Sequence, residues 1–191
     1  MSNDRYAVFI DGQNLSNVFS ELRPGRRIDY VKLLAFLKQL VPEGEFMGAY
    51  YYCIDFTEVN SSGVRAPEKQ CASWSSFLRY LRSTGFVPCV KPANRVGNGN
   101  GGNIIKGNQD VEIAVDVTTL SATQRVNHII LITSDQDFTY LIDTIRRLPY
   151  AVQTTLICKG FSAGRLKKAA SRVIFLEDVA DKILERQRSE S

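Results

Sequence analysis

This sequence predicts a three-layer α/β/α sandwich with a mainly parallel sheet, and three observations lead there. Short apolar runs alternate along the chain with amphipathic segments of helical period. The runs at 6–10 and 128–133 are apolar almost throughout, as strands covered by helices on both faces must be. Aspartates close or follow those same runs, and open parallel sheets gather their ligands outside the carboxyl ends of the strands.

Taken in order, the first strand spans 6–10 and ends at Asp11-Gly12, a common turn pair. Asp29 is a candidate N-cap for a helix over 29–40, where Tyr30, Leu33, Leu34, Phe36, Leu37 and Leu40 recur near helical spacing. Pro42-Glu43-Gly44 bounds a second strand at 46–54. Trp74, Phe77, Leu78 and Leu81 share one face of a helix over 66–84, which Gly85 stops before a strand at 86–90. Five glycines and five asparagines without apolar periodicity make 91–109 a long mobile loop of the kind that serves as a lid. A helix follows over 110–120, then a strand at 128–133, a helix over 138–148 and a strand at 154–158. A short helix near 163–170, a short strand at 173–176 and a terminal helix from Asp178 complete the pattern.

With 191 residues and 44% hydrophobic content, the chain is long enough for one well-buried core and short for two. One domain over 1–191 is expected, with its core at about 6–180. No stretch approaches the roughly 20 apolar residues of a membrane span, and residues 1–5 run straight into a strand pattern without a signal-peptide apolar region. A cytoplasmic protein without membrane contact is the expectation. Cys53, Cys71, Cys89 and Cys158 are widely spaced and lack zinc-site companions, so buried reduced thiols are expected. The net charge of +4 is mild. Arg23, Arg26 and Arg27, and again Arg165, Lys167, Lys168 and Arg172, cluster either as solvated faces or as a groove that follows a phosphate backbone.

Asp11 and Asp135 fall at the carboxyl edge of two strands, and Asp110 opens a helix whose N-terminus can reach the same edge. Carboxylates held together cannot all ionise unless a proton or a cation intervenes. Hard oxygen donors without histidine or cysteine favour Mg²⁺ or Mn²⁺ over zinc. Such a site suits phosphodiester hydrolysis, because the ion polarises the phosphoryl oxygen, activates water and stabilises the leaving alkoxide. Asn14 is a candidate for the scissile phosphate or a metal-bound water, and Lys106 for neutralising a phosphate. His128 begins its strand at the opposite end and is expected to be structural.

Each acid also has a plainer role. Asp11 fits a turn, Asp110 a helix cap, and Ser134-Asp135-Gln136-Asp137 resembles a capping box. Asp116 lies about 240° around the helix from Asp110, so it and Glu112 are weaker candidates, while Asp55 and Asp143 are expected at the surface. Tyr50, Tyr51, Tyr52, Phe56 and Trp74 could stack on unpaired bases, although core packing is the commoner use of such residues.

The segment Phe9-Ile10-Asp11-Gly12-Gln13-Asn14 resembles the I-D-G-x-N opening of NYN domains, the PIN-like nuclease family that includes the LabA/DUF88 group. Residues 106–116, from Lys106 through Asp110 to Asp116, resemble that family's K-G-x-x-D-V-x-L-x-x-D segment. Thr133-Ser134-Asp135-Gln136-Asp137-Phe138 is similar to its S-G-D-S-D-F turn, except that Ser134 runs directly into Asp135 without the usual glycine. The resemblance covers roughly residues 6 to 180, and the loop before Lys106 looks expanded relative to the family. It implies a PIN-like fold, a Mg²⁺ or Mn²⁺ site and, in active members, RNA cleavage. Asp11, Asp110 and Asp135 match the acidic core, Asp137 the second acid of the turn and Asn14 its polar companion.

A metal-dependent ribonuclease is the leading expectation, with Asp11, Asp110, Asp135 and Asp137 holding the ions and RNA as partner. A weakly active or inactive RNA-binding module, acting through a protein partner or as a homodimer, is the alternative class. A haloacid-dehalogenase-type phosphatase fits poorly, because the second acid it needs two residues after Asp11 is Gln13.

Overall fold

The computed structural model describes residues 4–60, 68–97, 103–106, 108–161 and 164–185. All seven strands join one sheet in the order β4-β3-β2-β1-β5-β6-β7. They are β1 (Arg5–Asp11), β2 (Glu45–Asn60), β3 (Val87–Gly97), β4 (Asn103–Lys106), β5 (His128–Ile132), β6 (Gln153–Cys158) and β7 (Arg172–Phe175). Six are parallel, and β4 alone pairs antiparallel, with β3.

Central β1 shows why its sequence is apolar from Tyr6 to Ile10. Tyr6, Val8 and Ile10 face one helical layer, while Ala7 and Phe9 face the other. The first layer holds α1 (Gly12–Leu22), α2 (Tyr30–Gln39) and α3 (Glu68–Ser83), together with α7 (Leu176–Val179) and a 3₁₀ turn at Ala180–Ile183. On the second lie α4 (Asp110–Ala122), a 3₁₀ turn at Gln136–Phe138, α5 (Thr139–Arg146) and α6 (Gly164–Ala169). Each fully buried Ile, Leu or Phe contributes on the order of 1.5–3 kcal/mol to this packing. The two-faced arrangement is the sandwich that the sequence predicts.

Helix ends follow their expected chemistry where the residues allow. Asp29 caps α2, accepting the Lys32 N–H at 3.1 Å. Gly85, at φ +96°, takes the left-handed conformation that ends α3.

Three segments depart from expectation. Residues 12–22 form helix α1 where only a turn was anticipated; Leu15, Val18 and Phe19 supply its buried face, but the intervening Asn and Ser residues mask that period. The expected loop at 91–109 is in large part a hairpin, with Asn94 paired to Lys106 and Gly97 to Asn103. Backbone pairing needs no side-chain periodicity, so nothing in the composition announced it; residues 98–102 and 107, where a lid was also expected, lie outside the described residues. Past Asp178 the chain makes a 3₁₀ turn rather than a longer helix.

The remaining expectations concern cysteines, His128 and the membrane. Cys53 and Cys158 are buried thiols, and Cys89 is only half-buried. His128 is buried, its Nε2 2.9 Å from Thr155 Oγ1, consistent with a structural role. No helix among the described residues is long and apolar enough to cross a membrane.

Gly12 is where fold and site meet. A Cβ there would lie 2.5 Å from both Tyr51 Cε1 and the Tyr52 carbonyl oxygen, so only glycine lets α1 start against β2. Gly12→Ala should therefore destabilise the protein by about 1–3 kcal/mol, as overpacked cores do, in chemical denaturation monitored by circular dichroism.

Candidate functional site

Strand β1 leads through α1 and α2 to β2 on one side, whereas β5 and its successors lie on the other. The carboxyl edge between β1 and β5 is thus the switch point, where neighbouring crossovers diverge and leave a crevice. Asp11 ends β1, Asp135 follows β5, and Asp110 is the first residue of α4. All three line one cleft of about 190 Å³ with Gln13, Asn14, Asn17, Ile54, Asn108 and Gln109.

Within this edge, one carboxylate oxygen from each of Asp110, Asp135 and Asp137 lies within 4.8 Å of the others. Asp137 is exposed and the other two are half-buried. The donor set is all carboxylate, hard and anionic, and fits an octahedral oxygen-seeking cation such as Mg²⁺ or Mn²⁺.

Asp11 stands behind this trio, with both oxygens engaged. Oδ1 accepts the Asn14 N–H at 3.0 Å, capping α1, and Oδ2 accepts the Thr133 hydroxyl at 3.1 Å. Thr133 Oγ1 in turn accepts the Asp135 N–H at 3.2 Å, and Asp135 Oδ1 accepts the Asp137 N–H at 3.0 Å. Asn14 closes a second link: its Oδ1 accepts the Ser134 N–H at 2.9 Å. Ser134 Oγ accepts the Lys159 N–H, also at 2.9 Å, tying the loop to the end of β6. The acids are thereby held by the backbone of their own turns.

Asp110 is fixed from the other side. Asn108 Nδ2 donates to its Oδ2 at 2.7 Å, and the Asp110 N–H donates to Asn108 Oδ1 at the same distance. Lys91 Nζ reaches Asn108 O at 3.0 Å, and Gln109 Nε2 donates to Cys89 O at 2.9 Å, pinning this turn to β3.

Burial raises the Asp11 carboxyl above its ordinary pKa; the Asn14 and Thr133 donors pull it down, and the charges of Asp110 and Asp135 push it up again. Burial likewise raises Asp110, against the Asn108 donor and with the repulsion of Asp135, Asp137 and Glu112. Unbalanced negative charge is what a bound cation would relieve.

The weaker acidic candidates lie elsewhere. Asp116 accepts the Tyr52 hydroxyl at 2.7 Å, and Glu112 pairs with Lys91 at 2.6 Å, both lining a recess between α4 and β3. Asp55 accepts the Thr57 N–H at 2.7 Å, and Asp143 pairs with Arg146 at 3.2 Å. Lys106 ends β4, and its side chain lies outside the described groups, as does that of Phe56. Tyr51 and Tyr52 are buried on opposite faces of the sheet, and Tyr50 stacks on Phe9 at 5.3 Å, so the tyrosine run is mainly core. Thr133 and Asn108 carry no sequence signal of their own, because a threonine after a strand and an asparagine before a helix are commonplace.

Fold and cleft together define a PIN-like α/β/α protein with an acidic centre at its switch point. The chain belongs to the NYN domain family, whose model matches residues 5–177, and thereby to the PIN-like nuclease superfamily. A crystal structure of a protein of unknown function from Vibrio parahaemolyticus is similar to it in fold, with a TM-score of 0.70 and 23% identity over 96% of this chain and 97% of that one. No curated protein sequence matches it significantly.

The raised pKa of Asp110 fixes the sign of a stability effect. Between its unfolded value, about 3.9, and its raised folded value, the native state binds more protons, so stability falls as pH rises through that window. Asp110→Asn removes this penalty while keeping an oxygen for Asn108. Without metal it should stabilise the protein slightly at neutral pH, solvent screening keeping the gain small, with the gain vanishing below about pH 4; thermal melts across pH test this.

Proposed function

We propose that this chain is a metal-dependent ribonuclease that hydrolyses RNA phosphodiester bonds, within a single domain over residues 1–191 and in the manner of the LabA/DUF88 group. The observation that carries the reading is the approach of three carboxylates, Asp110, Asp135 and Asp137, at the sheet's switch point. Family membership supports the nuclease class.

In this reading the three carboxylates hold Mg²⁺ or Mn²⁺, and Asp11, at their back, adds negative charge and completes the set. The bound ion supplies Lewis-acid polarisation of the phosphoryl oxygen and a lowered pKa for the attacking water. Asn14 spends its carbonyl oxygen on the Ser134 N–H, so its first task is to aim the Asp135 turn; its amide nitrogen is left to face the scissile phosphate in the same cleft. Thr133 orients Asp11 and Asp135 together. Lys106 and nearby arginines neutralise the RNA backbone. The place of action is the cytoplasm.

Structured and single-stranded RNA and DNA, incubated with Mg²⁺, Mn²⁺ or chelator, test the proposal. RNA fragments should form with metal and not in chelator, and Asp135→Asn should lower the rate by about 100-fold or more, as loss of a transition-state stabiliser does. RNA binding without product in any metal would instead favour a regulatory module and contradict the enzyme.

Residues that only orient the acids should cost less. Thr133→Val is expected to lower the rate by about 10- to 100-fold, as loss of a ligand's hydrogen-bonding partner does, with a smaller loss at raised Mn²⁺; an unchanged Mn²⁺ dependence in single-turnover kinetics would argue against that role.

A further inference from the structure

A second concavity, of about 620 Å³, opens beside the acidic cleft between α1, α2 and α3. Its volume is in the range that takes a small organic ligand. The two have no lining residue in common but are built on the same two elements: Asn17 of α1 and Ile54 of β2 line the acidic cleft, whereas Ser16 and Thr57 line the groove. Three strand residues span about 10 Å, so a chain leaving the acids crosses only the polar ridge of α1, where Gln13 Nε2 donates to Asn17 Oδ1 at 3.0 Å.

The groove's lining is aromatic on one side and cationic at the rim. Trp74 and Phe77 of α3 lie 5.8 Å apart in a tilted pair, and Tyr80 follows one turn on, with its ring against Tyr30. Arg26 Nη2 donates to the Glu185 carbonyl oxygen at 3.1 Å and also feels the charge of Asp181, which leaves its other guanidinium N–H groups and the Arg27 side chain at the rim. Arg23, by contrast, is consumed by Asp181, at 2.7 and 2.9 Å. Trp74 is half-buried, and its indole N–H, shielded from water, has no acceptor among the described residues. A buried donor without an acceptor is costly, and a bound ligand could supply the missing one.

We infer that this groove binds an unpaired nucleotide of the substrate strand beside the scissile bond, its base stacked on Trp74 and its phosphate met by Arg26 and Arg27. The inference rests on the RNA-substrate reading and adds a single-strand preference to it. Aromatic rings tolerate every base because each has a π-face, and cations at the rim follow the backbone without reading sequence. An acidic peptide would satisfy the arginines but leave the flat aromatic wall unused.

Trp74 is the chain's only tryptophan, so its fluorescence reports the groove directly. In chelator, where no turnover occurs, short oligoadenylate should change its emission saturably. Trp74→Ala should weaken binding of labelled oligoadenylate by roughly 5- to 100-fold, and Trp74→Phe, which keeps a ring, should restore much of it. Arg26→Ala and Arg27→Ala should each lower the salt dependence of binding by about one unit of slope.

Unresponsive emission with wild-type protein, or unchanged affinity in Trp74→Ala and Trp74→Phe alike, overturns the inference. So does an acidic peptide that quenches Trp74 when oligoadenylate does not, which would make the groove a protein-docking face. Cleavage assayed separately with Mn²⁺ keeps the two proposals apart. Cleavage without a Trp74 response refutes the groove alone, and a Trp74 response without cleavage refutes the hydrolysis alone.

Discussion

Repulsion between carboxylates is the constraint around which this molecule is organised. Asp110 at the start of α4 lies more than twenty residues in sequence from Asp135 and Asp137 after β5, yet oxygens from all three lie within 4.8 Å. Left alone, such groups separate or take up protons. Here they are held by short hydrogen-bonded turns: Asn108 grips Asp110, the Asp137 N–H grips Asp135, and Thr133 ties Asp135 to Asp11. The Asp11 and Asp135 turns hang from β1 and β5, whose pairing is buried on both faces, and the Asn108 turn is pinned to β3.

Two of the acids cap their own turns, whereas Asp110 lies one residue inside α4, where Gln109 holds the cap position without a side-chain hydrogen bond. Asp11 caps α1 through the Asn14 N–H, and Asp135 caps the 3₁₀ turn through the Asp137 N–H. A capping oxygen is fixed to within a hydrogen bond's tolerance and leaves other lone pairs to face the cleft. Capping and the proposed metal binding are alternatives on the sequence alone; in three dimensions the first does not preclude the second. Asn14 shows the same economy, because a side chain that lines the cleft also aims the Ser134 turn through its oxygen.

How much of this was legible in the sequence depended on which force placed each part. Strands β1 and β5 were visible because burial on both faces requires uninterrupted apolar residues, and Asp29 and Gly85 because caps and helix stops have local chemistry. Helix α1 was hidden: its polar ridge of Gln13, Asn17 and Ser20, which flanks both clefts, dilutes the apolar period of Leu15, Val18 and Phe19. The β3–β4 hairpin was invisible because its paired residues, 94–97 and 103–106, are short runs without alternation set in a glycine- and asparagine-rich stretch. The acids could be named, but their supports, Thr133 and Asn108, could not, since their roles exist only once the switch point has formed.

The most direct test of the central claim is the thermal stability of wild-type and Asp135→Asn protein with and without Mn²⁺. A ligand that binds only the native state at 100 times its dissociation constant adds about 2.7 kcal/mol. The account predicts a saturable rise in the wild-type melting temperature that is absent, or shifted to far higher Mn²⁺, in the variant. An equal rise in both proteins would mean that the clustered carboxylates are not the cation site, and would contradict it.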